Sequence, residues 1–176
     1  LQEQWHAKTG VYICEGYGMS ETSPLIALSP PDRIRVGAAG VILPETEVRI
    51  ASLQHSGQAA DFNEAGELWV RGPQVMRGYW QYPGATLQMI TPDGWLQTGD
   101  IVSLSEDGYL TVLERQKDVF WVQNQIVFPQ EVEQAATLHE DVVDCVAIQD
   151  VQDLAKPVQL FVVAKAGLTR ERLQNH

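Results

Sequence analysis

Three short segments of this 176-residue chain carry the side chains that chemistry on a nucleotide would use. The first is Gly16-Tyr17-Gly18-Met19-Ser20-Glu21-Thr22. Its glycines permit backbone angles closed to other residues and let a ligand approach the main chain. Tyr17 offers a flat face to a purine, and base–aromatic stacking is worth roughly 1–3 kcal/mol in nucleic-acid systems. Ser20 offers a hydroxyl to a phosphate oxygen. Glu21 is a hard carboxylate of the kind that holds Mg2+ beside substrate phosphates. The second segment is Asp93-Gly94-Trp95-Leu96-Gln97-Thr98-Gly99-Asp100, and the third is Glu114-Arg115-Gln116-Lys117-Asp118. Taken singly, each reads as a turn with solvated polar residues. Their order and spacing set them apart.

The flanking sequence supplies the elements that would position them. Residues 1–9 read as a helix stopped at Gly10, and Val11-Tyr12-Ile13-Cys14 as a short buried strand running into the Gly-rich turn. Ser29-Pro30-Pro31-Asp32 is a loop, Glu47-Val48-Arg49-Ile50 alternates as a strand does, and residues 54–65 form an exposed turn before a strand at 67–71. Asp107-Gly108 between Ile101–Leu104 and Tyr109–Leu113 is the strongest hairpin signal. Beyond residue 118, Val119–Val122 reads as a strand. Pro129 opens a helix to about Leu138, with Glu131 and Glu133 near its positive dipole end. Strands at 141–148 and 158–164 follow, and Thr169 caps a last short helix. The texture changes at 114–118, which we take as a domain boundary. The second unit, about 60 residues, is small for an independent core.

Composition narrows the function classes. Hydrophobic residues make up 44% of the chain, enough for a packed core. A net charge of −11 argues against nucleic-acid binding, which needs a basic footprint. No apolar run approaches the ~18 residues of a membrane span, and the chain opens without a secretory signal. Cys14 and Cys145 sit in apolar runs with no metal-ligand spacing, so buried free thiols in a reducing, cytoplasmic setting are expected. Any membrane association would be peripheral. The four histidines are dispersed, Trp5, Trp69, Trp80 and Trp121 read as packing residues, and the acidic residues of 131–153 read as solvated faces.

In order and spacing the three segments resemble the adenylate-forming acyl-activating enzymes, most closely the long-chain fatty-acid–CoA ligases. Tyr17-Gly18-Met19-Ser20-Glu21 is similar to the family's Tyr-Gly-x-Thr-Glu, with Ser20 keeping the hydroxyl. Gly66-Glu67-Leu68, Gly78-Tyr79-Trp80 and Ala85-Thr86 resemble its Gly-Glu-Leu, Gly-Tyr and Ala-Thr stretch. Trp95 to Asp100 resembles its Trp-x-x-Thr-Gly-Asp. The resemblance implies ATP/AMP, Mg2+ and coenzyme A as cofactors and a fatty acid as partner. It implies nucleotide binding by Tyr17, Gly18, Asp100, Val112 and Arg115. Tyr17 and Val112 would flank adenine, while Asp100 and Arg115 would hold the ribose, a task suited to a carboxylate that accepts two hydrogen bonds from a diol. Ser20 would contact the AMP phosphate, Glu21 would bind the metal, both serving catalysis, and Lys117 would be the hinge.

The implied fold is α+β. Residues 1–114 would be the C-terminal, β-rich portion of the large AMP-binding domain, 115–118 the hinge, and 119–176 an incomplete small C-terminal domain. The family's phosphate-gripping loop is expected upstream of residue 1 and its catalytic lysine beyond residue 176, because Lys156 and Lys165 do not fit that pattern. A fragment without either is expected to show no turnover. After the hinge the family carries Ser-Gly-x-Asn-Val-x-Pro, whereas this chain reads Gln123-Asn124-Gln125-Ile126-Val127-Phe128-Pro129. Asn124 replaces a glycine near the CoA channel and Ile126 replaces an asparagine. An adenylate-binding or adenylation-only relative, without CoA ligase activity, is therefore the alternative.

Overall fold

A computed structural model describes residues 2–55, 57–122, 125–149, 158–165 and 167–174. The chain divides into two compact units, Leu1–Leu113 and Glu114–His176. The first unit opens with α1 (Gln2–Thr9), which ends where Gly10 takes φ +73° and returns its N–H to the His6 carbonyl at 2.8 Å. Strands β1 (Gly16–Gly18), β2 (Leu25–Leu28), β3 (Gly40–Ile42), β4 (Glu47–Ser52) and β5 (Gly66–Arg71) follow. Helix α2 (Pro83–Met89) then precedes β6 (Leu96–Leu104) and β7 (Tyr109–Arg115). All seven strands join one sheet in the order β1-β2-β3-β7-β6-β5-β4.

The alternation of β5 buries Gly66, Leu68 and Val70 on one face. These pack with Ile26 of β2, Ile50 of β4, Val102 of β6 and Leu110 of β7 in a single core, with Tyr17 of β1 against it. Both edges of the sheet thus share one interior. A flat sheet would hold its edges far apart, since neighbouring strands lie about 4.8 Å from one another, so this sheet curls around its core. The hairpin read at Asp107-Gly108 forms as expected, with the Gly108 N–H on the Ser105 carbonyl at 2.9 Å.

The second unit, taken by itself, starts with a 3-10 turn at Gln116–Asp118. Strands β8 (Phe120–Val122) and β9 (Gln125–Val127) pair antiparallel, Trp121 opposite Ile126. Helix α3 (Pro129–Thr137) has its proline in the first turn and packs on β10 (Val142–Gln149). β10 pairs antiparallel with β11 (Val158–Ala164). The closing helix α4 (Arg170–Gln174) receives the expected cap, with the Arg172 N–H on Thr169 Oγ1 at 3.3 Å.

Four expectations need correction. Val11–Cys14 is neither buried nor a strand: Val11 is 61% exposed, and the segment pairs with no strand among the described residues. Apolar character alone does not make a strand, because a ladder needs a neighbour to take its N–H and C=O groups. The thiols are free, but Cys14 is exposed and Cys145 half-buried. Trp80, read as core or boundary packing, is 85% exposed, whereas Trp5 and Trp121, about half exposed, lie at the boundary. Gly16–Gly18, read as a turn, is a strand, paired with β2 across a bulge. Among the described residues no helix is long and apolar enough to cross a membrane.

Candidate functional site

Tyr17 stands at the middle of β1, and its hydroxyl donates a hydrogen bond to Asp100 Oδ2, 83 positions along the chain. The strand can lie there because Gly18 has no side chain. A Cβ at that position would meet the Pro24 carbonyl oxygen at 1.8 Å, inside any possible contact. Gly18 is thus required by the close approach of the next turn, and no left-handed angle is involved.

Asp100 owes its position to a bulge in β6. Gln97 pairs with Trp69 and Ile101 with Glu67, so Thr98, Gly99 and Asp100 together oppose Leu68. Gly99 adopts φ +69°, the left-handed angle that glycine takes without steric cost. Thr98 secures the bulge: its hydroxyl donates to the Leu68 carbonyl at 2.8 Å and accepts the Asp100 N–H at 3.1 Å. The alternation runs on through the bulge, with positions 96, 98, 100 and 102 all buried, and Ile101 is buried as well. Thr98-Gly99-Asp100 is therefore a device for burying a carboxylate at the edge of the core, with 5% of Asp100 exposed.

Ser20 and Glu21 lie in a 3-10 turn, Ser20–Thr22, directly after β1. Thr22 is fully buried, and its hydroxyl accepts the Met19 N–H at 3.1 Å, closing the turn on itself. Ser20 is exposed and Glu21 half-buried. The Glu21 carbonyl accepts the Met76 N–H at 2.8 Å, and Glu21 Oε1 accepts the Tyr79 hydroxyl at 2.6 Å. The hydrogen bond to Glu21, with burial and the carboxylate's charge adding to it, holds the Tyr79 phenol above its usual range. Tyr79 therefore stays protonated and remains a donor. Tyr79 is itself held by Thr86, whose Oγ1 accepts its backbone N–H at 2.9 Å.

Glu21 is the carboxylate of this turn that could hold a metal ion. No group of three His, Cys, Asp or Glu side chains gathers to hold an ion among the described residues. Magnesium keeps several waters and is bound through one or two carboxylates plus substrate phosphates. A single carboxylate oriented by a phenol fits that mode and does not fit a cation held by the protein alone.

Of the remaining candidates, Val112 lies in β7, next to the strand that carries Asp100, and is 40% exposed. Arg115 and Lys117 belong to the second unit and are both exposed. Asn124 lies outside the described residues, while Ile126 sits in β9, half-buried. The structure thus brings together Tyr17 with Asp100, and Glu21 with a partner not assigned from sequence. Thr22, Tyr79, Thr86 and Thr98 hold the site and were given no role beforehand. The signal for Tyr79 and Thr86 was their place in the Gly-Tyr and Ala-Thr stretch, which names residues without saying what they touch.

Comparison with known proteins shows what the chain is similar to. Residues 1–80 match the family described as AMP-binding enzyme. A long-chain-fatty-acid–CoA ligase of Haemophilus influenzae is 44% identical over 176 residues, covering 98% of this chain and 31% of that protein. Among solved structures, an ATP-bound RpMatB-BxBclM chimera superposes with a TM-score of 0.85 at 31% identity, over 99% of this chain and 35% of the other. The O-succinylbenzoate coenzyme A synthetase of Bacillus subtilis, in complex with AMP, gives 0.78 at 28% identity, over 98% and 35%. The chain therefore spans about a third of the length of the relatives it matches.

Proposed function

We propose that this chain belongs to the AMP-binding, adenylate-forming enzymes and is a portion, about a third in length, of a long-chain fatty-acid–CoA ligase. In the proposed reaction a fatty-acid carboxylate oxygen attacks the α-phosphorus of ATP. The bond to the β-phosphate breaks, giving acyl-AMP and pyrophosphate. The thiol of coenzyme A then loses its proton and attacks the acyl carbon, and AMP leaves. The observation that carries the reading is the hydrogen bond from Tyr17 to Asp100, which draws two of the three motifs to one place.

Each side chain has a role in this proposal that its chemistry suits. Tyr17 and Val112 bound the adenine, with Gly18 beside it. The Asp100 carboxylate, held by the Tyr17 hydroxyl on a backbone fixed by the Thr98 bulge, accepts the ribose hydroxyls. Preorganisation of this sort keeps the group in place without reorganisation during reaction. Ser20 contacts the phosphate and Glu21 takes the metal, which when bound supplies charge neutralisation to the phosphates. Arg115 as a ribose ligand and Lys117 as the hinge belong to the same proposal. So do a large-domain portion at 1–114, a hinge at 115–118, a small-domain portion at 119–176, and a cytoplasmic location.

The test is ATP–pyrophosphate exchange by the whole protein across a series of fatty acids, with acyl-AMP and acyl-CoA quantified separately. Fatty-acid-dependent exchange and acyl-CoA formation are expected; no exchange with any carboxylic acid overturns the reading. Acyl-AMP without acyl-CoA selects the adenylation-only alternative, to which the family-divergent Asn124 and Ile126 point.

A further inference from the structure

We infer that Tyr79 is a positioning residue for Glu21, held in turn by Thr86, and that this relay sets how tightly the site takes magnesium. The inference rests on the reading of the site as a nucleotide site with Glu21 as its metal ligand.

A glutamate at the centre of a three-residue turn has three rotatable bonds and little of its own to fix them. Here two ties from residues 76–79 reach it. The Met76 N–H holds the Glu21 carbonyl at 2.8 Å, and the Tyr79 hydroxyl holds Oε1 at 2.6 Å. The first fixes the backbone of the turn and the second fixes the carboxylate. Tyr79 is itself anchored, since its N–H is bound at 2.9 Å by Thr86 Oγ1, whose hydroxyl donates to the Tyr82 carbonyl at 3.2 Å. Pro83 at the start of α2 makes that anchor rigid, because its fixed φ suits the first helical turn. The path Thr86 to Tyr79 to Glu21 thus runs from a helix to a carboxylate 65 positions away from its origin, through two hydrogen bonds.

The consequence is chemical. A carboxylate with one oxygen held by a phenol presents the other in a set direction. Ligating carboxylates are characteristically hydrogen-bonded in this way, and loss of such a partner typically costs about 10- to 100-fold in metal affinity or activity. Tyr79→Phe removes the donor and keeps the ring.

The experiment measures two equilibria on the whole protein by calorimetry: AMP binding in EDTA, and ATP binding across a magnesium series. Tyr79→Phe is expected to leave the AMP constant within about twofold and to raise the magnesium concentration for half-maximal ATP binding about tenfold. Thr86→Val should move the magnesium requirement in the same direction, and Thr86→Ser, which keeps the hydroxyl, should restore it. An unchanged magnesium requirement in Tyr79→Phe overturns the inference. An equal loss of metal-free AMP affinity also overturns it, since that marks a general packing role. Wild-type protein that binds neither nucleotide overturns the nucleotide reading itself, and the inference with it.

Discussion

The hydroxyl of Tyr17 in β1 bonds the carboxylate of Asp100 in β6, although three strands, β2, β3 and β7, lie between them in the sheet. Four strand spacings would separate the two by about 19 Å in a flat sheet. The contact exists because the sheet curls, and it ties the curl shut near its open side. The same bond orients two of the groups that the proposed function assigns to the nucleoside, one at the adenine and one at the ribose.

That bond sets a measurable balance between stability and binding. Tyr17→Phe deletes a hydrogen bond to a charged, buried acceptor, of a kind worth about 1.5–3 kcal/mol. The urea midpoint should fall accordingly, while the aromatic face is kept and AMP affinity changes less than tenfold. Asp100→Ala should lower AMP affinity by at least about tenfold, equivalent to about 1.4 kcal/mol. Equal AMP affinity in wild type and Asp100→Ala would remove the ribose role.

Gly18 and Gly16 separate a steric demand from an ordinary one. A Cβ on Gly18 strikes the Pro24 backbone at 1.8 Å, whereas one on Gly16 meets side-chain atoms of Leu25 and Leu28 at 3.2 and 3.3 Å. Backbone yields less than the far end of a leucine. Gly18→Ala is therefore expected to destabilise by about 3 kcal/mol or more, at the upper end of overpacking costs, and Gly16→Ala by about 1 kcal/mol or less. Denaturant titration of the two variants side by side checks the ranking.

Much of the sheet could be read beforehand because its signals are local. Alternation marks β4 and β5, Asp107-Gly108 marks the hairpin, and Pro129 marks α3. Features that depend on distant partners were not legible. Val11–Cys14 has strand composition without a partner, and Gly16–Gly18 is a strand only through its pairing with Leu25–Leu28. Thr98-Gly99-Asp100 looks like a turn until Leu68 is seen opposite it. The motifs gave the residues Tyr17, Glu21 and Asp100, but Tyr79 meets Glu21 across 58 positions, a pairing that no spacing rule encodes.

Acid should weaken the first unit through two surface pairs. Hydrogen bonding to Arg35, then to Ser105, holds the Asp107 carboxyl below its usual range, and Arg71 does the same for Glu47. A carboxyl whose folded pKa is depressed adds stability that is present above its unfolded pKa and is lost as pH falls through the folded one. The unfolded chain binds more protons there, so stability drops as pH falls below about 4.5, near the ordinary Asp and Glu values. Melting temperature measured from pH 7 to pH 3 should show a shallower decline in Asp107→Asn/Glu47→Gln than in wild type. Added salt should shrink that difference, because both pairs are exposed. Parallel pH profiles in the two proteins would assign the acid sensitivity elsewhere.

The bulge in β6 can be tested apart from the carboxylate it carries. Gly99 has open space around an added Cβ, so Gly99→Ala meets only the cost of a left-handed angle, about 1–2 kcal/mol. Thr98→Val keeps shape and burial but removes the hydroxyl that donates to Leu68 and accepts from Asp100, at a cost of about 1–3 kcal/mol for buried groups. The two variants should therefore destabilise to a similar extent by different routes. Their effects on nucleotide binding should also agree, because each lets residues 98–100 relax toward a regular ladder and turns Asp100 away from Tyr17. AMP affinity is expected to fall about tenfold in both, with the loss no greater in either variant when Asp100 is already alanine. Additive losses in the double variants would show that the bulge and the carboxylate act separately, and that the strand distortion serves the sheet and not the site.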